Sequence, residues 1–183
     1  MLTDAVTNRS SPFRIPVFSC GSEDNIESRI VVLRKSDEQN NLVQFHSDIR
    51  SDKIKILEKN PNSSMLFYDK DEKIQLRIFS QIKINYQNNI TTWSWKKTAH
   101  MSRQCYLGNK APGSNAFKAT SGLAEDIDNM KYTMEESEIG YKNFCVIENY
   151  IQSIEWLYLA AKGHRRAHFS LENSSIKKKW LIP

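Results

Sequence analysis

The sequence predicts a mainly β protein, a mostly antiparallel barrel with a few short helices, forming one domain over residues 13–183. Three observations predict it. The chain holds about seven or eight β-rich runs, their connections are of hairpin length, and nowhere do helix and strand alternate as a doubly wound sheet requires. The 183 residues, 39% hydrophobic with six glycines and five prolines, suffice for one core and exclude collagen-like, low-complexity and wholly disordered classes.

Taken in order, the first twelve residues are polar and are expected to be a disordered N-terminal segment. Residues 13–20 read as a first strand and 21–27 as a loop. Arg29-Ile30-Val31-Val32-Leu33-Arg34 is an apolar, β-branched run between two charges, which predicts a strand covered on both faces; polar residues 37–41 turn it into a partner over 42–47. Ser51 can cap a helix over 52–59 with Ile54 and Leu57 on one face, and Asn60-Pro61 ends it. After a strand at 65–68 comes the clearest period-two signal. Ile74, Leu76, Ile78, Ser80, Ile82 and Ile84 alternate with Gln75, Arg77, Phe79, Gln81 and Lys83, giving a long strand with one apolar and one polar face. A helix over 91–102, a Gly/Pro/Ser/Asn-rich loop over 108–122, a short helix over 134–139 and strands at 144–147, 153–159, 165–170 and 180–182 complete the chain.

Charge and cysteine content narrow the function. The net charge of +5 is mild and gathers at Lys177, Lys178 and Lys179, and no zinc-finger, basic-zipper or RNP motif accompanies it. No nucleic-acid partner is expected; a local anion such as a phosphate ester suits the charge as well. No window nears ~18 consecutive apolar residues, and the first residues lack the basic-then-apolar order of a secretory signal. The expectation is a cytoplasmic protein without a membrane partner. Cys20, Cys105 and Cys145 form an odd set without a CxxC pair, which reads as three core thiols in a reducing compartment and no metal site. Phosphate-loop, dinucleotide GxGxxG and zinc HExxH motifs are absent.

The densest polar cluster is Phe45-His46-Ser47-Asp48-Ile49-Arg50-Ser51-Asp52-Lys53, a strand end running into a helix N-terminus. Unpaired N–H groups and the positive end of the helix dipole meet there, so Arg50, Lys53 and the hydroxyls of Ser47 and Ser51 can hold a phosphate dianion. The same residues also suit a plain capping turn, as the polar side of the 74–84 strand suits a solvated sheet face.

These runs, in this order and spacing, together with Asn60-Pro61, Gln75-Leu76-Arg77, Ser102-Arg103, Pro112-Gly113, Ile154-Glu155-Trp156-Leu157, the 163–169 segment and the closing Trp180-Leu181-Ile182-Pro183, resemble the flavoproteins related to pyridoxamine 5'-phosphate oxidase. The resemblance covers residues 13–183 and implies the FMN-binding split-barrel fold, FMN as cofactor, and a homodimer with two sites at the subunit interface. It implies that the Arg29, Ile30, Val31, Val32, Leu33, Arg34 run lies along the flavin, that His46 and Ser47 continue the site, that Arg50, Ser51 and Lys53 hold the phosphate, and that Gln75 reaches the ring. Arg103, the 112–114 turn, Trp156 and Arg166 would come from the second subunit. Three positions depart from the pattern: His168 stands where an Arg is usual, Ser80 where Gly is usual, and Asp52 where the vitamin B6 oxidases have Arg. The implied function is an FMN-dependent oxidoreductase with a small-molecule substrate, no catalytic side chain being assigned. A non-catalytic FMN- or haem-binding protein on the same scaffold is the alternative.

Overall fold

The computed structural model describes residues 1–22, 24–172 and 175–183, and the chain divides into two compact units. Unit 1 holds residues 1–45, 56–83 and 148–183; unit 2 holds 46–55 and 84–147.

The N-terminal segment corrects its expectation. Leu2–Thr7 is a helix, α1, with Ala5 fully buried. The Arg14 guanidinium donates to the carbonyls of Ala5 and Val6 at 3.1 and 2.7 Å, satisfying acceptors that the helix end leaves open. Composition could not show this, because the partner lies outside the segment. Next, the first part of the expected opening strand is a 3-10 turn, Pro12–Arg14, and β1 spans Val17–Gly21. Pro12 and Pro16 have no N–H for a ladder, so pairing begins after them.

The predicted strand over 29–34 is two strands. β2 (Ile26–Ile30) pairs antiparallel with β1, whereas β3 (Leu33–Asp37) pairs with β4 (Leu42–Asp48); between them Val31 N–H donates to Pro16 O at 3.0 Å. Sheet order explains the break. With β5 (Asn62–Asp69), β6 (Ile74–Tyr86) and β7 (Phe144–Tyr158), the strands run β2, β1, β5, β6, β7, β4, β3, so β2 and β3 are its two ends. The three Cα steps from Ile30 to Leu33 reach at most about 11 Å, which requires the sheet to curl until those ends meet. Leaving one end and joining the other needs a residue pair free of both ladders, and Val31 and Val32 are that pair.

β8 (Arg165–Glu172) pairs with β7 and β9 (Ser175–Leu181) with β8. The expected breaks within 144–159 are absent because the polar residues there have buried partners. Gln44 Nε2 donates to Glu148 Oε1 at 3.1 Å, and Asn149 bonds Val43 O and Ser63 Oγ, so β7 continues unbroken.

Register sorts the faces of unit 1. Arg29, Phe18, Met65 and Ile78 form one row, the last three fully buried; Ile30, Val17, Leu66 and Arg77 form the next row on the opposite face. The apolar side of β6 therefore faces the core, as its alternation predicts.

α2 (Asp52–Lys59) buries Ile54 and Leu57 as expected. The helix expected over 91–102 is divided into α3 (Asn89–Lys97) and α4 (His100–Arg103), with Thr98 extended between them. A short α5, Glu125–Asp128, was not foreseen, and the helix expected at 134–139 is a 3-10 segment, Glu136–Asn143. In unit 2, Trp95, Tyr106, Phe144 and Val146 form the core. A Cβ at Gly140 would lie 3.0 Å from a Leu107 methyl and 3.2 Å from the Trp95 ring, so that close approach requires glycine.

Candidate functional site

The junction of β4 and α2 is a compact donor turn. Lys53 Nζ donates to Ser47 Oγ at 2.8 Å and to Ser51 Oγ at 2.9 Å, and the two hydroxyls lie 3.4 Å apart. One ammonium and two hydroxyls thus converge at the start of a helix, the donor set that a phosphate dianion takes. Ser51 N–H and Oγ both reach back to Asp48 O, and Ser47 O accepts the Cys145 thiol, which fixes both serines. Burial pushes that thiol up to about 12, so it stays protonated and serves as a donor only.

Arg50 is engaged differently from its expected role on the phosphate. Its Nε and Nη2 donate to Asp48 at 3.0 and 2.7 Å, and Nη1 donates to Gly108 O at 2.9 Å. Asp48 Oδ1 also accepts Arg50 N–H, an Asx turn that holds the Arg50 backbone and guanidinium on one carboxylate. Hydrogen bonding to Asp48 raises the Arg50 pKa against the opposing effect of burial. Asp48 balances the Arg50 charge; Lys53 brings the turn's other positive charge.

Arg50 and Gly108 open onto a cleft of about 700 Å3 walled by residues 104–105, 108–116 and 120–123. No Asp or Glu occurs anywhere from 104 to 124, and Lys110 is the cation that the loop contributes to the lining. Cys105 is exposed and lines this cleft, which corrects its reading as a core thiol; Cys20 and Cys145 are buried as expected. The loop is built on glycine: Gly113, at φ +88°, would bring a Cβ to 3.5 Å from an Asp52 carboxylate oxygen.

Arg103, expected to reach a flavin from the second subunit, is 3% exposed inside unit 2. Nε and Nη2 donate to the carbonyls of Thr98 and Trp95, Nη1 donates to Ser137 Oγ and Glu138, and the guanidinium lies 4.4 Å over the Trp95 ring. It caps the end of α3. Burial raises the Glu138 carboxyl, but hydrogen bonds from Arg103 and Trp95 outweigh it and hold the group below its usual value.

The other sequence candidates sit as follows. His46, in unit 2, is half-buried with its ring edge-on to Phe144 at 4.8 Å. In unit 1, Arg29 pairs with Glu27 on the core-facing row, and its Nε is buried without a hydrogen-bond partner. Ile30 is exposed on the outer face, Leu33 is buried, and Val31, Val32 and Arg34 are half-buried. Gln75 stands opposite Tyr68 on the outer face, the face that also carries Arg77. Glu155 Oε2 accepts from Arg77 at 2.6 Å and from Arg166 Nε at 2.9 Å, which ties Arg166 to the same face. Burial raises Glu155, and the two arginines lower it further, so it ionises below its usual value. The Asp48 clamp, the Gly108 carbonyl and Glu155 were missed by sequence reasoning; only the Asp48-x-Arg50 spacing carried a signal, that of an Asx turn.

Nine mostly antiparallel strands among the described residues, with short helices, make this a mainly β fold of the split-barrel class. Comparison with known proteins bears on part of the chain: residues 2–85 match the model described as pyridoxamine 5'-phosphate oxidase, FMN-binding domain. A pyridoxine/pyridoxamine 5'-phosphate oxidase of Psychrobacter arcticus is 25% identical over 184 residues, which cover 94% of this chain and 80% of that protein. A pyridoxamine 5'-phosphate oxidase-related, FMN-binding protein from Nostoc punctiforme superposes with a TM-score of 0.80 at 14% identity, over 100% of this chain and 94% of its own. PhzG from Burkholderia lata does so at 0.74 and 16%, over 96% and 85%. Both share the fold. No helix among the described residues is long and apolar enough to cross a membrane.

Proposed function

We propose that the protein is an FMN-dependent oxidoreductase that acts on a small anionic molecule as a homodimer. The observation that carries the reading is the Ser47, Ser51 and Lys53 turn, whose donors match an FMN phosphate. FMN, when bound, supplies hydride chemistry; the chain supplies binding, position and charge. Lys53 and the two hydroxyls hold the phosphate, and Gln75 offers an amide, both donor and acceptor, to the ring. Lys110 and a cleft wall without carboxylates favour an anionic substrate over a cationic one. For the dimer, the support is the outer face of unit 1, where Ile30, Leu66, Tyr68 and Phe79 are exposed.

The test is FMN titration of the wild type, Lys53→Ala and Ser51→Ala, followed by reduction with NADH, NADPH or pyridoxamine phosphate. Losing charge-assisted contacts worth about 1.5–3 kcal/mol each, Lys53→Ala should bind roughly 10- to 100-fold more weakly. Equal FMN affinity for wild type and Lys53→Ala removes the phosphate assignment. Tight FMN binding with no reductant able to bleach the flavin bands leaves an FMN-binding protein without oxidoreductase activity.

A further inference from the structure

We infer that Arg50 is a positioning residue that fastens the 108–123 loop to the anion-binding turn, so that anion binding at the turn and order in the cleft wall are coupled. The covalent and hydrogen-bonded path is short. Asp48 O takes both donors of Ser51, the carboxylate of the same Asp48 takes Arg50 Nε and Nη2, and Arg50 Nη1 ends on Gly108 O, where the cleft wall begins. Every link is a hydrogen bond to a charged group or to a backbone carbonyl, and the guanidinium is a rigid planar part that can serve Asp48 and Gly108 at once. Little else fastens the loop. Residues 109–122 hold no helix or strand, the hydrogen bonds within them are local turns such as Ser114 N–H to Ala111 O, and Phe117 is fully exposed. A segment with few long-range contacts opens at low cost, so a single bidentate strut governs how often it does.

An anion that takes the Ser51 hydroxyl and Lys53 leaves the Ser51 N–H on Asp48 O, which stiffens the Asp48 to Ser51 turn, and the strut passes that order to Gly108. By linkage, a ligand in the cleft strengthens anion binding by the same factor. This coupling rests on the reading that the turn holds the FMN phosphate, yet its strut can be tested without FMN.

The experiment is amide hydrogen exchange over residues 108–123 in wild type, Arg50→Gln and Arg50→Lys, each with and without FMN, beside an FMN titration. In the FMN-free protein, Arg50→Gln should exchange in this loop at least ~10-fold faster than wild type, with exchange in β5 and β6 unchanged. Arg50→Lys should behave like Arg50→Gln, since an ammonium point charge lacks the planar spread to reach both partners. FMN should slow loop exchange in wild type and leave it unaltered in both variants, while FMN affinity falls less than threefold. Asp48→Asn, which keeps the shape and weakens the clamp, should fall between wild type and Arg50→Gln and stands in if the latter does not fold. Wild-type exchange rates in the Arg50 variants overturn the strut. An affinity loss as large as that of Lys53→Ala overturns it too, since Arg50 would then be a phosphate ligand. Failure of wild type to bind FMN would sink the cofactor reading alone, the FMN-free comparison still deciding the strut.

Discussion

Glu155 shows how one carboxylate can govern two arginines from neighbouring strands. Arg77 and Arg166 both point at Oε2, so removing the charge leaves two cations side by side. The carboxyl ionises below its ordinary value in the folded chain, because the two arginines outweigh burial. A depressed carboxylate pKa contributes stability that is present above the unfolded value of about 4.3 and is lost as pH falls through the folded one. Glu155→Gln should therefore cost about 1–2 kcal/mol at pH 7, a figure kept low because both arginines are about a third exposed and screened. As pH falls through the folded value and Glu155 takes up its proton, the urea midpoints of the two proteins should converge. A gap that keeps its size as the pH is lowered would assign the loss to packing and not to charge. His168 and Lys179 stand in the same cross-strand row as Glu155.

Among the elements, β6 offers the sharpest discrimination between a cofactor wall and a solvated face. Its core side, with Ile78 and Ser80 buried, was legible from alternation alone, because a period of two is a direct consequence of strand geometry. Its outer side was not, since nothing in a polar stripe distinguishes water from a ligand. Gln75 and Gln81 share that outer side, six residues or about 20 Å apart, farther than one ring system spans. Gln75→Leu should weaken FMN binding by about 1–3 kcal/mol and shift the visible flavin bands, whereas Gln81→Leu, opposite Asn62 at the other end of the pairing with β5, should do neither. Equal effects from both would make the outer side of β6 an ordinary wet surface. The same limit explains the other discrepancies. α2 and the β5–β6 pair follow local rules of capping and period, and they match their expected places. The division of residues 29–34 into two strands comes from sheet closure, the continuity of β7 from partners such as Gln44 and Val43 about a hundred residues away, and the order of α1 from Arg14. Arg50 and Arg103 were recognisable as functional-looking arginines, but which acceptors each one meets is a tertiary fact. A permanent cation with five donors suits a phosphate and a set of carbonyls equally well.

For the whole molecule, the arrangement of apolar surface argues for self-association. Unit 1 keeps Phe18, Met65 and Ile78 inside, yet the adjacent outer row and its neighbours show Ile30 at 66%, Tyr68 at 49%, Phe79 at 38% and Leu66 at 36% exposure. Single exposed apolar residues are ordinary; four on one face of a paired β2, β1, β5, β6 sheet form a patch, and patches of this kind mark interfaces. A stable dimer covers about 800 Å2 per partner, an area this face supplies only if the patch and its polar rim, Gln75 and Arg77 among them, are both covered. Charges placed in the patch centre should therefore break the dimer without harming the fold, because Leu66 and Tyr68 contribute nothing to the buried row. Leu66→Asp/Tyr68→Asp should sediment as a monomer of about 21 kDa at 10 μM, where wild type should sediment at twice that mass, with far-ultraviolet circular dichroism unchanged. If the site is shared between subunits, FMN affinity should fall in parallel with dimer content as wild type is diluted. Wild type that sediments as a monomer at 10 μM, or a double variant that stays dimeric, would move the interface away from this face.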